Sequence, residues 1–294
     1  MGLIPTEKLK PQSARLHFLL IIGPPKIGTT EALLQLPNSL HIDLQSGASH
    51  YSGVTVDIAK IARTARIRDK NERGEEIERN MRGRYEAIKY VLRELKEKKE
   101  KEKFIYDFIS IDPAGSLDEI SEERGLELYQ TSAYKRKDAD DPTKIVKLDV
   151  GFNKGVEMNQ IGFEEIINEF RKYCHTIILK VHGKDNITIK RDVELTMEVL
   201  DLPKGIGGWL AKECDAIGSM YRLEGNINKI SFLKSDRDPL LGARAPHLKN
   251  KIVEISKLNE EGELITYWET IFPHIKQPVK QSITKQEKTT QPHE

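Results

Sequence analysis

Apolar residues fall in short continuous runs in the first part of the chain and in helical or alternating spacing further on, and these patterns predict its elements. Residues 16–22 are almost all apolar and end at Gly23, as in a parallel strand buried on both faces. Residues 31–36 predict a helix, and 40–44 predict a second strand after the turn formers Pro37 and Asn38. Strand, glycine-containing loop, helix and strand together open a parallel doubly wound sheet. Between 54 and 103 the chain turns charged, and Tyr85, Ile88, Leu92 and Leu95 mark one apolar helical face. Its Lys and Glu run, 94–103, is expected to be a solvated helix end.

Residues 105–111 predict a strand closed by Asp112, and 117–130 a helix. Phe163, Ile166, Ile167 and Phe170 define an amphipathic helix leading into a strand at 176–181. Two polar stretches without a clear period, 135–159 and 183–208, are expected to be long mobile loops. Strands at 216–223, 229–234 and 251–257 follow, some antiparallel, with a hairpin turn at 260–263. Residues 276–294 carry almost no apolar side chains, so their burial cannot offset ordering entropy and they predict disorder. The expected organisation is an N-terminal segment (1–15), one α/β domain (16–275) and a tail (276–294).

A chain of 294 residues, 38% of them hydrophobic, is long enough for that one large domain. Its 47 basic and 46 acidic side chains cancel, so any nucleic-acid surface must be a local patch. Cys174 and Cys214 form no CxxC pair, which argues against a disulfide framework or structural zinc and fits a reducing compartment. No run approaches the roughly 18 apolar residues of a membrane span, so a cytoplasmic protein with no membrane partner is expected.

The candidate chemistry begins at Gly23, Pro24, Pro25, Lys26, Ile27, Gly28, Thr29 and Thr30. Two glycines at this spacing, between an apolar strand and a helix, suit a loop whose backbone N–H groups wrap phosphate. Thr30 stands at the hydroxyl position that would hold magnesium, but Thr29 stands where the pattern has lysine. That change removes a charged hydrogen bond worth about 1.5–3 kcal/mol. Lys26 is either a solvated loop lysine or a charge supplied from another direction. Asp112, at the end of an apolar strand, is placed to bring a carboxylate beside the same ion.

These residues resemble the RecA-like, AAA-type P-loop nucleotide-binding proteins, often phage-encoded and similar to phage recombination ATPases. The resemblance runs from about residue 16 to 255 through GPPKIGTT (23–30), LPNSLHIDLQSG (36–47), YDFISIDPAGSL (106–117), TIILKVHGK (176–184), CDAIGSMYR (214–222) and GARAPHL (242–248). It implies a RecA-like P-loop fold with helices on both faces of the sheet and a C-terminal antiparallel extension. It also implies ATP and Mg2+ as cofactors, single-stranded DNA as a partner and a homo-oligomeric assembly.

In such proteins a glutamate two residues after the acid of the second strand polarises the attacking water. Here Asp43 is followed by Gln45 at that position. A neutral amide orients water but cannot accept its proton, and losing a general base costs about 10²–10⁴-fold. The resemblance makes His182 a sensor of the γ-phosphate and Arg244 a finger toward a neighbouring subunit, with Lys234 and Arg237 as competitors. It places DNA contacts in 135–159 and 183–208, in or beside which only Tyr134, Phe152 and Trp209 offer stacking surfaces. Thr29 and Gln45 together imply weak or absent hydrolysis. A non-enzymatic structural or adaptor protein on the same fold is the alternative. A small-molecule kinase would need a lid with clustered arginines, and a nicotinamide dehydrogenase the tight Gly-x-Gly-x-x-Gly spacing; neither is present.

Overall fold

The computed structural model describes residues 15–70, 74–103, 105–131, 152–190, 193–235 and 238–275. The expectations for 1–14, for the tail 276–294, and for Tyr134 and Arg237 lie outside these residues.

Six parallel strands form the centre of a ten-stranded sheet: β1 (Phe18–Ile22), β2 (Ser39–Asp43), β3 (Thr55–Asp57), then β6 (Tyr106–Asp112), β7 (Cys174–Val181) and β10 (Ala216–Leu223). Between β3 and β6 lies a separate hairpin, β4 (Arg66–Lys70) with β5 (Glu76–Asn80). Between β7 and β10 lies a second, β8 (Gly183–Lys190) with β9 (Val193–Leu200). In space the parallel strands run β10, β1, β7, β6, β2, β3. Beyond β10 the sheet continues antiparallel through β11 (Ile227–Ser231), β13 (Ile252–Leu258) and β14 (Leu264–Thr266), and short β12 (Gly242–Ala243) also pairs with β10.

Burial on both faces explains the continuous apolar run of β1. Phe18, Leu20 and Ile22 join one core with helices α2 (Ile58–Thr64), α3 (Arg84–Glu102), α4 (Ser116–Thr131), α5 (Phe152–Arg171) and α6 (Lys204–Glu213). Leu19 and Ile21 join a second core on the opposite face, with α1 (Thr29–Leu34) and the C-terminal residues Trp268, Ile271 and Phe272. Helical elements thus cover both faces, as expected. Trp268 Nε1 donates to the Ala32 carbonyl at 2.8 Å and ties this C-terminal segment to α1.

Three expectations are corrected. Residues 54–103 are not continuously helical, because β3, α2 and the β4–β5 hairpin precede α3. Each strand of that hairpin has a single isoleucine, Ile67 or Ile77, amid charges and so shows no apolar alternation, yet the two pair, and Arg79 pins them to α3 through Glu86 at 2.5 Å. Most of the stretch 183–208 is not a loop: residues 183–190 and 193–200 pair as β8 and β9, and 204–208 begin α6. Of 135–159, residues 152–159 belong to α5, while 135–151 lie outside the described residues.

Helices α4 and α5 approach closely at two glycines. A Cβ at Gly162 would lie 2.7 Å from the Ser121 carbonyl oxygen, and one at Gly125 would lie 2.9 Å from the Met158 backbone. Alanine at 162 would gain roughly 0.5–1 kcal/mol of helix propensity, but the obstacle is backbone and cannot turn aside. Overpacking costs about 1–3 kcal/mol, so the clash wins. Gly162→Ala is expected to lower the urea midpoint, and an unchanged or raised midpoint would refute this close packing.

Candidate functional site

The C-terminal ends of β1, β7, β6 and β2 open into one cleft of about 580 Å³, where open parallel sheets bind their ligands. Residues 24–31, Asp43, Gln45, Asp112, Lys180, His182 and Arg222 are among its walls. The phosphate loop, Asp112, Gln45 and His182, all proposed from sequence, are therefore brought together.

The loop turns through left-handed backbone at Lys26 (φ 64°) and Gly28 (φ 91°) before α1 begins. Gly28 is required twice over: its φ disfavours a side chain, and a Cβ there would meet Arg222 Nη2 at 3.2 Å. Ile27 is buried and anchors the loop, whereas Lys26 is exposed, in line with a solvated role. Thr30 Oγ1 donates to Asp112 Oδ2 at 2.5 Å, joining the hydroxyl and carboxylate that the sequence assigned to one ion. The Thr29 hydroxyl is spent on β10 instead. Thr29 is 3% exposed and its hydroxyl donates to Met220 Sδ at 3.2 Å, so it gives the cleft no substitute for lysine.

Gln45 is held at both ends. Its backbone N–H donates to Asp43 Oδ1 at 2.9 Å, and its side-chain Nε2 donates to Ser116 Oγ at 2.6 Å. Asp43 also accepts from the Ala48 N–H at 2.7 Å, so this buried carboxylate organises the turn that carries Gln45. His182 Nδ1 lies 3.3 Å from the Gly23 carbonyl oxygen and its Nε2 lies 3.0 Å from Lys180 Nζ. The ring thus stands between the loop backbone and Lys180, whose Nζ is also 3.2 Å from Nδ1.

Three wall residues were missed from sequence. Lys180, on β7, is 6% exposed and its Nζ stands 3.6 Å from Asp112 Oδ1. Burial lowers its pKa, and the nearby Asp112 opposes that shift. Arg222, at the end of β10, donates from Nη2 to the Ile27 carbonyl at 2.7 Å and from Nε to Asn228 Oδ1 at 3.1 Å, bracing the loop. His41 lies on β2, with Nδ1 2.7 Å from Ser110 Oγ and its buried Nε2 unpartnered among the described residues. Burial holds its pKa down, against the carboxylates of Asp112 and Asp43.

Arg244 is not brought to the cleft. It pairs with Asp215 at 3.6 Å, and Asp215 accepts from the backbone N–H groups of His17 and Phe18, at the start of β1 and the opposite end of the sheet. Any finger role would therefore concern another copy's cleft. Trp209, partly buried, packs edge-on against Phe18 and Phe163, with centroids 6.0 and 6.2 Å apart. Lys234 is exposed beyond β11.

No family model matches the chain. No curated protein matches it. What stands is an α/β fold with a parallel central sheet and a cleft at its C-terminal edge. Among the described residues no helix is long and apolar enough to cross a membrane.

Proposed function

We propose that this chain is a RecA-like protein that binds ATP with Mg2+ in the cleft and hydrolyses it weakly or not at all. One observation carries the reading above the others: Thr30 and Asp112, 82 residues apart, meet at 2.5 Å beside a loop of phosphate-binding pattern. Among the described residues no group of three or more His, Cys, Asp or Glu could cage a metal. Two oxygen donors instead fit Mg2+, which keeps several waters and takes the remaining ligands from phosphate. Bound there, the ion would offset charge on the phosphate oxygens. The loop backbone would hold the phosphates, Arg222 would brace the loop, and Gln45 would orient a water without taking its proton.

The reading extends to single-stranded DNA and to a homo-oligomer. Hairpin β8–β9 starts at Gly183, directly after His182, whose ring touches the loop at Gly23. The base of that hairpin thus adjoins a residue that touches the loop, which would link a partner bound on the hairpin to the phosphate site.

The alternative, a non-enzymatic structural or adaptor protein, is favoured by the Lys180–Asp112 pair, which balances the acid within the chain itself. Calorimetry with ATP, with and without Mg2+, separates the two. Saturable binding that weakens in EDTA is expected. Absence of heat with any nucleoside triphosphate would leave the adaptor reading. Anisotropy of labelled single-stranded DNA, with and without ATP, tests the extension, and salt-insensitive or absent binding would remove it.

A further inference from the structure

We propose that Lys180 of β7 supplies the phosphate-facing ammonium that the loop lacks at Thr29, so the missing loop lysine is replaced from the neighbouring strand. This rests on the nucleotide reading above and names the residue that meets the β- and γ-phosphates.

Register places it there. Ile21, two residues before Gly23, pairs with Lys180, and Asp43 pairs with Asp112. Ile111 pairs with Leu179, so Asp112 and Lys180 are the next residues along their strands. Alternation fixes the face: Ile21 and Ile178 belong to the core on the α1 side, and Lys180 follows Ile178 by two. Lys180 therefore projects on the same side as α1, between the strand that carries the loop and the strand that carries Asp112.

Its surroundings are those of a ligand residue. Among the described residues it is the only buried lysine or arginine. Burying an ammonium is costly unless it is paired. Its ammonium meets the His182 ring at 3.0 Å, but its pair with Asp112, at 3.6 Å, is longer than a hydrogen bond, so of three ammonium protons two remain for an incoming anion. The other cations of the cleft wall are less suited: Lys26 is exposed, and Arg222 is engaged with Ile27 and Asn228. The Thr29 hydroxyl is turned to Met220, and Lys180 lines the same cleft as loop residues 24–31.

The test is a fluorescence titration of the full chain with labelled ATP and AMP in Mg2+, with a thermal melt of each variant. Lys180→Met keeps most of the apolar stem. It is expected to weaken ATP about ten- to a hundredfold, as loss of a charged hydrogen bond does, while AMP changes less than about threefold. Thr29→Lys added to Lys180→Met should recover most of the ATP affinity. Equal losses for ATP and AMP, or unchanged ATP affinity in Lys180→Met, would overturn the assignment and leave the nucleotide site standing. Failure of the unmodified chain to bind ATP would instead overturn the nucleotide reading, and this assignment with it. If Lys180→Met melts below the assay temperature, Lys180→Gln, which keeps a polar donor without the charge, is read by the same criterion.

Discussion

Asp112→Ala is expected to destabilise the fold by about 3–5 kcal/mol, because it leaves Lys180 buried without its counter-charge. Both side chains of the pair are 7% exposed, so water can do little to solvate the stranded ammonium. The Thr30 hydroxyl also loses its acceptor. For a domain of this size the loss corresponds to a fall in Tm on the order of 10 °C. Desolvation would drive Lys180 toward its neutral form, the direction in which burial already moves its pKa.

The decisive comparison is the double variant. Lys180→Met alone strands Asp112 in turn, but that carboxylate retains the Thr30 hydrogen bond, so the loss in this variant should be the smaller one. Combined with Asp112→Ala it removes both charges, and replacing a buried pair by apolar groups is often close to neutral. The double variant should therefore recover most of the lost Tm. If it melts as low as Asp112→Ala alone, the stranded lysine is not the cause, and the defect lies with Thr30 and the turn after β6. Because no nucleotide is involved, the result stands whether or not the cleft is ever filled.

Where burial set the pattern, the sequence was a sufficient guide. The run at 16–22 announced a strand covered on both faces, and β1 belongs to both cores. The periodic apolar residues 163–170 became the buried face of α5. Charge defeated the same reasoning at β4–β5, where alternating residues are mostly exposed and the strands are held by each other and by Arg79. It failed at β8–β9 because six alternating apolar positions were diluted by polar residues and read as a loop.

The site divides in the same way. Thr30 and Asp112 were legible because both lie in patterns tied to one chemistry, and they meet. Lys180 was legible in principle: it interrupts Ile-Ile-Leu in a strand that must be buried on both faces, where a lysine needs a partner. His41 interrupts β2 in the same manner. Arg222 had no such signal, since an arginine at the end of a strand is ordinary and its contact with Ile27 spans 195 residues. Arg244 shows the converse, a basic residue in a suggestive turn whose contacts lie at the far end of the sheet.

Gln45→Glu is expected to raise ATP turnover by about 10²–10⁴-fold if position 45 faces the attacking water, the factor a positioned general base supplies. The substitution suits the local geometry. Gln45 Nε2 now donates to Ser116 Oγ, and a glutamate oxygen at the same place would accept from that hydroxyl instead. The backbone at 45 stays fixed by Asp43, so the carboxylate should arrive where the amide is. Two effects oppose each other. The new charge stands near Asp43 and the phosphates and should weaken binding, but the same repulsion raises the carboxyl pKa toward neutrality, where a base works best. Repulsion across a wet cleft is screened, so the rate term should dominate. Single-turnover hydrolysis at saturating ATP isolates it from affinity. A rise there, larger still with Thr29→Lys, would show that the neutral amide holds the unmodified chain inactive. No rise in a variant that still binds ATP would mean that water is not delivered at position 45, and Gln45 would then act through Ser116 only to shape the mouth of the cleft.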